Sequence, residues 1–149
     1  MKRLDIPFAL RALALILALL APAAAARANA PAGQYTVSST TVVDNRTHLT
    51  WYKTVGTNLN HDNAVNYCGG LGAGWRLPTV KELQTLIDDS QPSPPRLDTT
   101  AFPGAPSTGF YSSSTTYPGD TTLYYYVNFY TGNTGYESAN APHNILCVH

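Results

Sequence analysis

The chain has only two cysteines, Cys68 near its middle and Cys147 two residues from its end. Whether they can join depends on where the chain folds, because disulfides persist in oxidising compartments and are rare in the cytosol. The N-terminus bears on that question. Lys2, Arg3 and Arg11 form a basic opening, Ala12 to Leu20 is an unbroken run of Ala, Leu and Ile, and small residues follow through Ala30. This is the pattern of a secretory signal peptide. The apolar run is short of the ~20 residues that span a bilayer, so no membrane span is expected once it is cleaved. Small-x-small triplets end at Ala26, Ala28 and Ala30. Cleavage after Ala28 removes residues 1–28 as the signal peptide and leaves 29–149 as one domain. Export, to the periplasm or to the cell surface and beyond, permits a single Cys68–Cys147 bridge, with two buried free thiols as the alternative. Such a bridge closes most of the domain and is worth about 4.5 kcal/mol in chain-entropy terms.

Cleavage also changes the charge. Residues 1–28 hold Lys2, Arg3, Arg11 and Arg27 but only Asp5, so the remainder has five basic and eight acidic residues and a formal charge of −3. No basic run survives, and duplex binding depends on phosphate neutralisation by Lys and Arg, so nucleic acid is excluded as a partner. The remaining roughly 120 residues suit one modest core.

Strand signals open the domain. Tyr35, Val37, Val42 and Val43 lie among Ser and Thr, and Asp44-Asn45-Arg46-Thr47 reads as a turn into a strand from Leu49 to Tyr52. A helix is expected from His61 to about Leu71, capped by Asn60 or Asp62, with Ala64, Cys68 and Leu71 on its buried face. The stretch Trp75-Arg76-Leu77-Pro78 leads into a second helix. There Thr79 and Glu82 have the spacing of a capping box, and Val80, Leu83 and Ile87 form one apolar face. Residues 88–122, rich in Pro, Gly, Ser and Thr, read as a long loop. Strands are expected again at Leu123 to Tyr130, Gly135 to Ser138 and Ile145 to Val148, with Thr131-Gly132-Asn133 as a turn. Two helices between strands from both ends of the chain indicate an α+β domain.

An ordered set of motifs now stands out: V-x-D-N-x-T-x-L-x-W from Val42 to Trp51, A-x-x-Y-C from Ala64 to Cys68, and W-R-L-P-T-x-x-E-L from Trp75 to Leu83. Y-S-S-S from Tyr111 to Ser114, V-x-F-x-x-G from Val127 to Gly132 and a closing Cys147-Val148 complete it. Together they resemble the Lcl C-terminal domain-like family, named after the C-terminal domain of a bacterial collagen-like adhesin. The resemblance implies a C-type-lectin-like fold with two helices and a mainly antiparallel, twisted sheet. In that fold a helix cysteine pairs with one on the last strand, and the N- and C-terminal strands are adjacent. The W-R-L-P-T-x-x-E block also looks like a segment of sulfatase-modifying-factor domains. The chain departs from the family at Tyr111, where a Trp is usual, and at His61, where an aromatic is frequent. The signature residues Trp51, Trp75, Arg76, Leu77, Pro78, Thr79 and Glu82 are read as architecture: Trp75 and Leu77 filling the core, Pro78 setting the helix start, and Arg76 hydrogen-bonding carbonyls or a carboxylate.

No enzyme is expected. A single bridge between the two cysteines would leave none for oxidase chemistry. His48, His61, His143 and His149 are scattered, and Ser112 to Ser114 carry no nucleophile-elbow glycines. No cofactor is expected and no zinc spacing occurs. Asp88, Asp89, Asp98 and Asp120 are the only candidates for calcium, without an EF-hand loop to hold it.

The tyrosines carry the binding expectation. Along Leu123 to Tyr130, alternation places Leu123, Tyr125, Val127 and Phe129 on one face and Tyr124, Tyr126, Asn128 and Tyr130 on the other. The first set makes the better core. The second, joined by a loop bearing Tyr111 and Tyr117, is the expected ligand surface, since tyrosine offers a flat ring with a polar tip. Cover by a neighbouring loop is the alternative. The expected function is an exported binding domain for a glycan or protein ligand. A structural envelope module without a small ligand is the second possibility. The adhesin namesake of the family binds sulfated polysaccharides, yet a charge of −3 lends no electrostatic support to an anionic ligand here.

Overall fold

The computed structural model describes residues 30–91 and 93–149, so the signal peptide expected at 1–28 lies outside the described residues. Among the described residues ten elements follow one another: β1 (Tyr35–Val37), β2 (Thr41–Asp44), β3 (Thr50–Tyr52), β4 (Gly56–Leu59), α1 (His61–Gly69), α2 (Val80–Gln84), β5 (Phe110–Tyr117), β6 (Asp120–Asn128), β7 (Asn133–Ser138) and β8 (His143–Ile145). They form an α+β arrangement of a three-stranded sheet, β1-β2-β3, and a five-stranded sheet, β4-β8-β5-β6-β7. All pairings are antiparallel except β5 with β8. Among the described residues no helix is long and apolar enough to cross a membrane.

The first helix starts where its cap requires. Asn60 is extended and its side chain accepts from the Asn63 N–H, while Gly70 closes the other end. Ala64 and Cys68 are its buried residues. Cys68 is bonded to Cys147, with 5.4 Å between their Cα atoms. The bridge lies in a small core of Ala64, Leu77, Ile145 and the two cysteines. A larger core gathers Val42, Trp51, Leu83, Leu86, Leu97, Phe102, Tyr111, Val127 and Phe129 with their neighbours.

The Trp75–Pro78 stretch secures the end of the chain. Arg76 and Val148 exchange backbone hydrogen bonds at 2.9 and 3.0 Å, and Val148 also bridges to Trp51. On the other side Thr50 and His149 exchange two more, at 3.1 and 2.8 Å. The terminal segment is therefore held between β3 and the signature block, which puts the early and late strands side by side. The expected strand Ile145 to Val148 is only partly regular, since β8 ends at Ile145 and the residues beyond it pair with partners outside their own sheet. Leu77 and Pro78 are buried, but Trp75 is only half-buried, edge-on to Tyr52 at 5.7 Å.

Thr79 and Glu82 form the capping box, each reaching the other's backbone N–H. Arg76 completes it by gripping the Glu82 carboxylate with both guanidinium nitrogens, at 2.9 and 2.6 Å. These hydrogen bonds, Arg76 first and Thr79 after it, hold the Glu82 carboxyl at about 2 rather than the ordinary 4.5. Since folding lowers this pKa, the carboxylate stabilises the fold above about 4.5 and that contribution is lost as pH falls from there toward 2. We expect the melting temperature of the wild type to fall more steeply through this window than that of Glu82→Gln. Parallel curves would uncouple the pair from folding.

The loop expected over residues 88–122 is shorter than the sequence implies. Phe110–Tyr117 is a full strand, and β6 begins at Asp120 rather than Leu123. Ser and Thr dominate β5, yet its hydroxyls are satisfied inside the fold. Ser113 Oγ donates to the Tyr125 carbonyl at 2.7 Å, and Ser114 Oγ to the Pro78 carbonyl at 3.2 Å. Burying a hydroxyl is costly only when it is left unpaired.

Candidate functional site

The tyrosines expected to share one surface are divided among four environments. Tyr111 pairs with Val127 across β5 and β6 and is fully buried. Its ring meets Phe129 edge-on at 4.8 Å, and its hydroxyl donates to the Pro106 carbonyl at 3.1 Å. Burial pushes its phenol pKa up. Placing Tyr111 at a ligand surface is thus corrected: it stands on a strand, and its partner across the sheet is a core valine.

Tyr124 and Tyr126 point to the other side of β6, as alternation requires, but that side is covered. After β7 the chain crosses this face to reach β8, and the crossing is tied down where Ala139 donates to the Thr122 carbonyl and accepts from the His61 N–H. His61, at the start of α1, stacks on Tyr124 with ring centres 3.5 Å apart. Burial lowers the His61 pKa, which favours the neutral ring in the stack. Tyr126 stacks on Phe110 at 4.3 Å and meets His143 edge-on. The Tyr126 ring also lies over Gly135, where any Cβ would collide with it. Both tyrosines are half-buried, which corrects the open face expected for them.

Asn128 and Tyr130 form the turn after β6. The Asn128 side chain accepts from the Tyr130 N–H at 2.8 Å, a local bond that shapes the chain. Tyr130 is exposed there, apart from the other rings expected beside it.

Tyr117 stands on the opposite side of the sheet from Tyr124. It stacks on Tyr136 with ring centres 4.0 Å apart, and Tyr125 packs edge-on against both, at 5.9 and 6.1 Å. Tyr136 is 49% exposed. The neighbouring Tyr136 hydroxyl pushes the Tyr117 phenol pKa up. Tyr117 and Tyr125 are half-buried, so this three-ring group reaches the surface through Tyr136. Tyr125 was assigned to the core side by alternation and Tyr136 was not singled out. Their cross-strand pairing, Tyr125 with Tyr136, is the signal that could have found them.

A second grouping was not anticipated. Ser112 Oγ lies 3.0 Å from His143 Nδ1, and His143 Nε2 lies 3.1 Å from a Glu137 carboxylate oxygen. The order serine, histidine, carboxylate is that of a hydrolytic triad. Ser112 is only 4% exposed, however, and His143 is wedged edge-on between Phe110 and Tyr126. A nucleophile must meet its substrate, and this one is sealed in the sheet. In the fold the chain of bonds fastens β8 to β5 and β7.

The calcium candidates are engaged locally. Asp88 accepts from Ser90 and Gln91, Asp89 pairs with Arg96 at 3.2 Å, Asp98 accepts from Thr100 and Ala101, and Asp120 accepts from Thr122. Among the described residues no three His, Cys, Asp or Glu side chains come together as metal ligands.

No curated protein matches the chain. The family model for the Lcl C-terminal domain matches residues 40–149, which takes in both cysteines, the Trp75–Leu83 block and all three rings of the tyrosine cluster. The chain belongs to the Lcl C-terminal domain family.

Proposed function

We propose that this is an exported, non-enzymatic binding domain of adhesin-like type, which recognises a glycan or protein ligand through Tyr117, Tyr125 and Tyr136. The three-ring cluster, two half-buried tyrosines beside the exposed Tyr136, carries this reading. Its rings are fixed by one another and by the sheet beneath, so binding costs little side-chain ordering, and each offers an apolar body with a hydroxyl at its tip. A disulfide in the core agrees with folding in an oxidising compartment. The sealed position of Ser112 favours a role without catalysis, and no cofactor enters this reading.

A glycan array and a pull-down from surface extracts identify the ligand, and variants locate the site. We expect Tyr117→Ala with Tyr136→Ala to lose about 1 to 3 kcal/mol of affinity, as interface hot spots do. Exposed substitutions of this kind cost little stability, within roughly 1 kcal/mol. Undiminished binding by the folded double variant would remove the cluster from the function. A protein that retains no ligand in either screen would favour the envelope-module alternative.

A further inference from the structure

A cavity of about 290 Å³ opens between β4, the start of β5 and β8, on the side of the domain away from the tyrosine cluster's rings. Its walls include Thr57, Asn58, Thr108, Phe110, His143 and Asn144, and neither an acidic residue nor a Lys or Arg lines it. Apart from the His143 imidazole it offers an ion no charged side chain. The lining instead supplies neutral donors and acceptors, two amides and two hydroxyl side chains, beside one phenyl ring.

The rim is built with care for these groups. Gly109 has a φ of +98°, and a Cβ there would lie 2.9 Å from the Asn144 amide nitrogen, so only glycine leaves Asn144 its place. That nitrogen donates to the Thr108 carbonyl at 3.2 Å, which orients the amide and leaves its oxygen as an acceptor. Asn58 is exposed and holds a φ of +59°, at the irregular point in the pairing of β4 with β8. Phe110 is backed by Tyr126 and His143, so the apolar wall is rigid.

We propose that this cavity binds a single uncharged sugar ring, such as the terminal pyranose of a glycan. Hydroxyl groups suit the Asn58, Asn144, Thr57 and Thr108 side chains, and an apolar C–H face suits Phe110. The volume of about 290 Å³ falls just under the roughly 300–1,000 Å³ usual for small-molecule sites, which fits one ring rather than an extended chain. This site is independent of the tyrosine cluster.

The test titrates isotope-labelled protein with the methyl glycosides of glucose, galactose, mannose and N-acetylglucosamine, following amide resonances by NMR. At least one is expected to shift the signals of Asn58, Gly109 and Asn144. Asn58→Gly keeps the positive φ without strain and removes only the side chain. It is expected to weaken that sugar about fivefold to tenfold, the worth of one neutral hydrogen bond. Shifts at Asn58, Gly109 and Asn144 are read separately from any at Tyr117, Tyr125 and Tyr136, so the two sites can fail separately. The proposal is overturned if none of the four glycosides shifts these resonances at millimolar concentration. It is equally overturned if the folded Asn58→Gly and Asn144→Ala variants both bind like wild type.

Discussion

Replacing both Cys68 and Cys147 by alanine should lower the stability of the domain by about 4.5 kcal/mol, the loop-closure entropy of the long segment between them. The effect is large because domains of this size hold only about 5–15 kcal/mol in total. Its structural reach also extends beyond the bridge. Cys147 belongs to the terminal segment that pairs with β3 on one side and with Arg76 on the other, and Cys68 fixes α1 to the same point. Both sulfurs sit among Ala64, Leu77 and Ile145, all of them buried. Urea denaturation of the wild type and the double variant measures the difference. A change under about 1 kcal/mol would mean that the unfolded chain gains little freedom when the bridge is removed, contrary to the loop-closure argument.

Local chemistry was the part of this fold most readable in the residues. The Asn60 cap and the Thr79–Glu82 capping box follow from side chains within one turn of the groups they satisfy, and both form as expected. The helices end sooner than their apolar spacing implies, at Gly69 and Gln84, because Leu71, Leu86 and Ile87 pack from turns rather than from continued helix. What the spacing could not reveal is non-local. A run such as Phe110–Tyr117 looks like loop because its serines have no partners nearby in sequence, and Pro78, Tyr125 and His143 supply them from elsewhere. The alternation of β6 was legible, and Val127 and Phe129 are buried as it requires. Cover on the opposite face comes from the crossing between β7 and β8 and from the first residue of α1, neither of which alternation within β6 can report. Tyr117 and Tyr136 likewise meet only because β5 and β7 flank β6.

The division among the tyrosines gives the sharpest energetic contrast. Tyr111→Ala should cost roughly 3–5 kcal/mol, in the range of large aromatic truncations in a core. The ring is fully buried, paired with Val127 across the sheet and edge-on to Phe129. Tyr111→Phe separates packing from hydrogen bonding. It keeps the ring and gives up only the bond to the Pro106 carbonyl, so a loss of about 1 kcal/mol is expected. Thermal and urea melts of the two variants measure both terms, and ligand binding by the folded Phe variant should match wild type. An alanine variant as stable as wild type would place Tyr111 at the surface after all. Normal stability with lost binding in the Phe variant would return its hydroxyl to the ligand site.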